Sequence, residues 1–171
     1  MMSCHPERSA QRGVEGSRAA SASALFDLHC HLDFDPDTRA AAQVLAELGM
    51  GAFSTTVTPE GYERARGLLE PFGNVRVGLG LHPWWIADGR LGPQDVALFE
   101  RLAKDERFIG EVGLDFGRDR AETRDAQVAA FERVARACAG GGKVLSKYNS
   151  FNKNLSFQNW RIRFVYSLTP L

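Results

Sequence analysis

The chain has 171 residues, enough for one domain with a sizeable core, and its 44% hydrophobic and 25% charged residues are ordinary for a globular protein. A formal net charge of zero gives no reason to expect binding to nucleic acid or to membranes through bulk charge. The three cysteines, Cys4, Cys30 and Cys138, form no disulfide framework and favour a reducing, cytoplasmic location. No apolar run approaches the roughly 20 residues of a membrane-spanning helix, so no membrane partner is expected.

The N-terminal segment, residues 1–24, is expected to be a disordered tail. It carries arginines among Ser, Ala and Gly, and it contains no apolar stretch long enough for a secretory signal. Such a segment cannot bury enough surface to offset the entropy of ordering it. Translation from a misassigned upstream start codon would produce a segment of the same kind.

A regular alternation of strand, turn and helix begins at Leu25. Apolar or β-branched segments predict strands, and helical patterns with capping signals separate them. The predicted strands cover residues 25–32, 52–57, 75–81 and 108–115, and a fifth strand starts at 143–146. Repeated β-then-α units indicate parallel strands joined by right-handed crossovers. No glycine-rich G-x-G-x-x-G or P-loop turn follows any strand, so no nucleotide cofactor is expected.

The first predicted strand carries an unusual row of ionisable side chains. Alternation along a strand places four of them on one face: Asp27, His29, His31 and Asp33. Two imidazoles at this spacing can bind one divalent ion if a carboxylate or a further histidine arrives from elsewhere. An isolated His-x-His pair is usually only the polar face of a half-buried strand, but ordinary core strands do not carry four ionisable groups in a row. Cys30 falls on the opposite face and is expected in the core.

Polar residues recur at the carboxyl ends of the predicted strands. They are His29 and His31 on the first strand, His82 after the third, and Glu111 and Asp115 on the fourth. Functional groups gather at this edge of the sheet in (β/α)8 barrels. A carboxylate such as Glu111 amid apolar neighbours is costly to bury unless a cation neutralises it. The pattern favours an α/β fold that is an incomplete TIM-type (β/α)8 barrel of about four and a half β/α units.

Some of these residues also have simpler interpretations. His82 stands before Pro83 and could equally cap a turn, and Asp115 suits a loop or the start of a helix. The adjacent Trp84 and Trp85 suit packing within a loop, although either ring could stack on a nucleic-acid base.

The composition changes abruptly at residue 147. Residues 147–171 contain no acidic residue, Ala or Gly, and their lysines and arginines interleave with aromatic residues. The chain is therefore divided into a partial barrel domain, 25–146, and a compositionally foreign tail. Because the change falls in mid-strand, the favoured interpretation is a segment from another reading frame or a fused fragment. A tail that binds single-stranded nucleic acid is the alternative.

Several segments together resemble the TatD family of metal-dependent hydrolases. They are Asp27 to Asp33 (DLHCHLD), Gly80 to Pro83 (GLHP), Ile109 to Asp115 (IGEVGLD), and Gln127 with Phe131. Each segment alone is moderately specific, but all of them occur in order on the expected strands. The resemblance covers residues 26–146 and corresponds to the N-terminal half of a family member.

The resemblance implies a divalent-metal site at the barrel mouth and phosphodiester hydrolysis, notably DNA exonuclease activity. The implied residues are the metal ligands His29, His31 and Glu111 (the last also catalytic and shared between two ions), the substrate contact His82, and the groups that orient the imidazoles, Asp33 and Asp115. The ions would be Zn, Mn or Mg, two in a complete family member. DNA or another phosphodiester would be the substrate.

The chain departs from the family pattern after the fifth strand. A complete barrel needs about 250 residues, and family members supply a histidine just after that strand, another later and an aspartate near the end. Here no histidine follows His82 and no aspartate follows Asp125. Three side chains can hold one ion but hold two poorly, so we expect a truncated hydrolase with weak or no turnover. The alternative is a non-catalytic half-barrel that acts as a binding or assembly module and self-associates through its open sheet edge.

Overall fold

The computed structural model describes residues 25–117 and 120–150. The predicted N-terminal tail, 1–24, and residues 151–171 of the predicted C-terminal tail, 147–171, lie outside the described residues. The strands are β1 Leu25–Cys30, β2 Met50–Thr55, β3 Val75–Leu81, β4 Phe108–Asp115 and β5 Val144–Ser150. The helices are α1 Thr38–Glu47, α2 Pro59–Leu69, α3 Pro83–Ala87, α4 Pro93–Leu102 and α5 Arg124–Cys138, with single 3-10 turns at Leu32–Phe34 and Ala121–Thr123. None of the helices in the described ranges is long and apolar enough to cross a bilayer.

The five strands form one parallel sheet in the order β1-β2-β3-β4-β5. Each strand pairs with the next strand along the chain, which is the connectivity of a β/α barrel, whereas strand order reverses in a doubly wound sheet. A contact between the first and last strands shows that the sheet is curled. The His29 side chain of β1 reaches across the barrel interior, and its Nδ1 lies 2.9 Å from the Ser146 hydroxyl of β5. The fold is thus a half-barrel that corresponds to part of a TIM-type barrel, as the sequence predicts.

The start of α2 illustrates how local sequence sets these elements. The Thr58 hydroxyl accepts a hydrogen bond from the backbone N–H of Gly61, and Pro59 occupies the first turn, where its missing N–H has no partner to lose. Tyr62 and Leu69, seven residues or about two turns apart on the same face of the helix, are buried. These features fix the helix directly after β2.

The hydrophobic core has two parts of unequal quality. The larger part lies over β3 and β4, where Leu79, Ile109 and Val112 have no exposed surface and pack against side chains from α4 and α5. The smaller part lies under α1 and α2 and consists of Ala42, Ala52, Ala65, Leu69 and Val75. Cys30 packs against this smaller cluster, as its predicted face requires. Because alanines dominate it, this part buries less apolar surface.

Strand β5 continues past the composition change at residue 147. Its backbone pairs with β4 through the register Val112–Lys147 and Gly113–Tyr148 and on to its end. Gly113 permits this pairing: its φ is +153°, and a Cβ there would lie 1.9 Å from the Tyr148 carbonyl oxygen. The fifth strand predicted to start at 143–146 thus extends to Ser150, and the compositional boundary does not interrupt its backbone hydrogen bonding. The division of the chain at 146 into domain and tail stays a prediction.

Candidate metal centre

Four of the residues singled out in the sequence meet: three histidines from the carboxyl ends of β1 and β3, and Glu111 from the middle of β4. Oε2 of Glu111 lies 3.6 Å from Nε2 of His29, 3.6 Å from Nε2 of His31 and 3.7 Å from Nε2 of His82. One carboxylate oxygen on β4 therefore faces three imidazole nitrogens that arrive from the ends of β1 and β3. We call these four residues the histidine–glutamate cluster.

Glu111 is the one acid among the three candidate metal ligands, and it is buried, with 6% of its surface exposed. Loss of water around the carboxyl raises its pKa, and the neighbouring His29 and His31 act in the opposite direction. The three nitrogen atoms lie beyond hydrogen-bonding distance, so they surround the carboxylate without satisfying it. A group in this position gains from a cation placed between it and the rings.

The rings of His29 and His31 are held by their Nδ1 atoms. Nδ1 of His31 lies 2.8 Å from the Thr55 carbonyl oxygen, and because a carbonyl only accepts, this nitrogen carries the hydrogen and donates it. Nδ1 of His29 lies 2.9 Å from the Ser146 hydroxyl. Both Nε2 atoms are thereby directed at Glu111, with the His31 lone pair available to a ligand. Metal-binding histidines are oriented by such partners on their second nitrogen.

The donor set of the cluster fits a divalent ion. The ligand atoms of His29, His31 and Glu111 all lie within 4.8 Å of one another. Two imidazole nitrogens and a carboxylate oxygen suit Zn and related transition ions, and three protein ligands can leave a position open for substrate. These residues are therefore able to hold one divalent ion at the open end of the half-barrel.

His82 differs from His31 because its Nδ1 accepts a hydrogen bond, whereas Nδ1 of His31 donates one. Its Nδ1 accepts the backbone N–H of Trp84 at 3.1 Å and so caps α3. In the neutral ring the hydrogen then sits on Nε2, the atom that faces Glu111. Burial lowers the pKa of His82 to about 4, with His31 adding to that shift, so the ring is a neutral hydrogen-bond donor at pH 7. His82 therefore caps α3 through Nδ1 and faces Glu111 through Nε2.

Asp115 links the end of β4 to α5. Its backbone N–H donates to Oε1 of Gln127 at 2.8 Å, and its carbonyl accepts from Nε2 of the same amide at 2.7 Å. Its Oδ1 accepts the N–H of Gly117, and its Oδ2 lies 3.6 Å from Nη1 of Arg120. This almost fully buried carboxylate therefore organises the loop after β4, and its charge acts to raise the pKa of His82 against the larger effect of burial.

Asp33 lies on the 3-10 turn after β1 and lines a cavity of about 280 Å³ together with Arg64 and Arg90. Burial raises the pKa of its carboxyl group, and its Oδ1 is buried without a hydrogen-bond partner among the described residues. Within 25–117 and 120–150, no hydrogen bond joins Asp33 or Asp115 to an imidazole. Thr55 and Ser146 make those contacts instead.

Sequence reasoning did not single out Thr55 and Ser146. Thr55 ends β2 on the side of the histidines, so its position at a strand terminus is a signal that could have been used. Ser146 offers no such signal, because its contact with His29 depends on the curl of the sheet. Tyr148 was also missed: its ring lies 4.7 Å from that of His82.

Comparison with known proteins assigns the chain to a family. The model of the family described as TatD related DNase matches residues 26–146. No curated protein sequence matches the chain. The matched range contains all four residues of the histidine–glutamate cluster, and it covers well over half of the chain. The chain therefore belongs to the TatD-related DNase family.

Proposed function

We propose that the chain is a metal-dependent phosphodiester hydrolase of the DNase type, with His29, His31 and Glu111 as metal ligands. The observation that supports this most directly is the approach of two oriented imidazoles to one buried carboxylate oxygen, 3.6 Å from each. When bound, a divalent ion supplies a lowered pKa for water and stabilises the charge that develops on phosphate oxygens. Membership of the family supports the same chemistry.

The residues of the chain have separate tasks in this proposal. Glu111 provides a fixed negative charge in a site that excludes much of the water, where charge interactions are strong. His82 keeps a hydrogen on Nε2 and can donate it to a phosphate oxygen, because its Nδ1 is committed to the Trp84 N–H. Thr55 and Ser146 hold the two ligand rings in their orientation.

We propose weak turnover for this chain. Three residues of the cluster, His29, His31 and Glu111, are candidate ligands. Three ligands suffice for one ion, whereas the family resemblance implies two ions. No histidine beyond His82 is present to complete a second position. DNA and related phosphodiesters are the proposed substrates, and Zn, Mn or Mg the proposed ions.

Binding of Mn²⁺ to the full chain, followed by isothermal titration calorimetry, tests the metal site. We expect Glu111→Gln to weaken binding at least about 100-fold, since even outer-shell groups contribute 10- to 100-fold. Glu132→Gln, which removes the same charge from the exposed surface of α5, is the matched control and should bind as the wild type does. Absence of Mn²⁺ binding by the wild type would contradict the proposal.

Degradation of end-labelled DNA with added Mg²⁺, Mn²⁺ or Zn²⁺ tests the substrate class. Slow shortening from the ends is expected for the wild type and none for Glu111→Gln. Hydrolysis of a cyclic amide or an ester, with DNA left intact, would overturn the assignment to phosphodiesters.

A second candidate function is an assembly module that self-associates through β1. This edge strand exposes 64% of Leu25, 46% of Phe26 and 74% of Leu28, and an exposed apolar edge favours pairing with another strand. We expect a concentration-dependent dimer in size-exclusion chromatography with light scattering. Leu28→Ser should shift it to monomer, and Leu48→Ser, at a similarly exposed site on the last turn of α1, should not. A wild-type monomer at all concentrations would exclude this candidate.

A further inference from the structure

We propose that Arg120 binds a backbone phosphate of the nucleic-acid substrate beside the histidine–glutamate cluster, and that Trp84 positions it. The inference rests on the proposed function, since it names the part of the substrate that this side of the site would bind. None of the sequence motifs includes Arg120, which follows β4 in the loop before α5.

A continuous row of contacts connects Arg120 to the cluster. The guanidinium carbon lies 4.6 Å from the centre of the Trp84 ring, and this ring lies 5.2 Å from that of His82. Nε2 of His82 in turn lies 3.7 Å from Oε2 of Glu111. The guanidinium is therefore at the same end of the half-barrel as the proposed metal ligands, with the Trp84 ring between it and His82.

Two contacts orient Arg120 without using up its hydrogen-bond donors. The guanidinium carbon lies over the Trp84 ring, a cation–π contact that restrains the position of the side chain. Nη1 lies 3.6 Å from Oδ2 of Asp115, which is close enough for attraction but too long for a hydrogen bond. Its Nε–H is buried and has no acceptor among the described residues. An oriented guanidinium with uncommitted N–H groups matches the geometry of phosphate oxygens.

The neighbouring carboxylate does not block an anion from this position. The side chain of Asp115 is 3% exposed and that of Arg120 is 27% exposed, so a ligand from solvent meets the guanidinium first. Oδ1 of Asp115 is also occupied by the N–H of Gly117. The carboxylate lies behind the arginine and holds it in place.

Aromatic surface beside Arg120 favours a nucleotide over a free anion. Trp84 is 39% exposed, and the Tyr148 ring lies 5.8 Å from it. Aromatic side chains next to a cationic group form sites for single-stranded nucleic acid, in which the phosphate meets the charge and the sugar or base meets the ring. A nucleic-acid phosphate is therefore the ligand class that this surface fits.

The experiment measures binding of a short fluorescein-labelled oligothymidylate to the full chain by fluorescence anisotropy, with EDTA present so that metal makes no contribution. We expect Arg120→Gln to weaken binding about tenfold and to reduce the slope of log affinity against log salt by about 0.7, the value for one phosphate contact on a single strand. Arg90→Gln is the matched control, because its guanidinium lies 5.1 Å from the adjacent Trp85 ring of the same short helix. This control should bind within twofold of the wild type.

Two further variants separate binding from folding. Arg120→Lys keeps the charge and should retain the salt slope while losing part of the affinity, since the planar fork is lost. Trp84→Leu should weaken binding with the salt slope retained, because the charge remains but is no longer held in place. Unchanged affinity in Arg120→Gln, or an equal loss in Arg90→Gln, would overturn the proposal. Inorganic phosphate and unlabelled oligothymidylate are then compared as competitors of the labelled probe. If phosphate displaces the probe at the same or a lower concentration than oligothymidylate does, the nucleotide assignment is overturned.

The same preparations distinguish this inference from the proposed function. Arg120→Gln should bind Mn²⁺ as the wild type does. A wild type that binds Mn²⁺ but whose affinity for the oligonucleotide does not depend on Arg120 would refute the phosphate site alone. A chain that binds the oligonucleotide through Arg120 but binds no Mn²⁺ would refute the metal centre and leave the phosphate site standing.

Discussion

The carboxylate of the histidine–glutamate cluster comes from the middle of the sheet, whereas His29 and His31 come from the edge. Around Glu111 on β4, Ile109 and Val112 have no exposed surface, and strands flank β4 on both sides. β1 has a single neighbouring strand in the described structure, and Leu28, next to His29, is 74% exposed. Packing therefore fixes the carboxylate, while hydrogen bonds at the two Nδ1 atoms fix the imidazoles.

The largest effect expected from this comparison is on stability. Leu79→Ala on β3 should lower the free energy of unfolding by about 2–5 kcal/mol, because it opens a cavity at a site with no exposed surface. Leu28→Ala on β1 removes the same atoms from an exposed position and should change it by less than about 0.5 kcal/mol. Urea unfolding midpoints of the two variants measure the difference. Equal losses would show that β1 is packed as tightly as the centre.

The next effect concerns pH and the buried His82. Its pKa is lowered from 6.5 to about 4 in the folded chain, so the unfolded chain binds a proton first as the pH falls. The free energy of unfolding should therefore decrease from about pH 6.5 towards pH 4, by at most roughly 3 kcal/mol for this group. The raised pKa of Glu111 acts in the opposite direction and offsets part of the loss.

Urea unfolding in EDTA across this pH range provides the measurement. His82→Asn removes the titrating ring, so its stability should vary less with pH than that of the wild type. NMR titration gives an independent check, since the His82 ring should still be neutral at pH 5. A normal titration near pH 6.5 would contradict the burial argument.

The smallest effect concerns the edge ligands and the hydroxyl that contacts one of them. Ser146→Ala removes the partner of Nδ1 of His29 and should weaken Mn²⁺ binding about tenfold, with little change in stability. Ser146→Thr keeps a hydroxyl at this position and should retain most of the affinity. If Ser146→Ala binds Mn²⁺ as tightly as Ser146→Thr does, the orientation of the His29 ring does not depend on this contact.

The centre of the fold could be predicted from the sequence and the edges could not. β3 and β4 have the predicted bounds, 75–81 and 108–115, because short apolar runs between turn signals define buried strands well. The helical spacing of Val44, Leu45 and Leu48 predicts the apolar face of α1. Leu45 does pack against the smaller core cluster, yet Val44 and Leu48 are 53% and 66% exposed. This helix packs on the edge of the sheet, where the hydrophobic core is smaller. Fewer apolar residues of the helix are therefore buried there, and helical periodicity predicts burial less well.

The site follows the same division. The motif residues are found together because His29, His31 and His82 stand at the carboxyl ends of the parallel strands β1 and β3, and Glu111 on β4 lies within 3.7 Å of all three rings. The contacts of Ser146 and Arg120 depend on the curl of the sheet and on the course of the loop after β4. Neither is encoded in a short local pattern, so both required coordinates.

The position of the histidines on an edge strand has a consequence for the protein when metal is scarce. An ion bound by residues of β1 and β4 would link the exposed edge strand to a buried central strand. Its binding free energy would then stabilise β1 against local unfolding. Chelation should therefore speed amide hydrogen exchange in β1 far more than in β4. Metal supply would then set how long this end of the chain survives proteolysis.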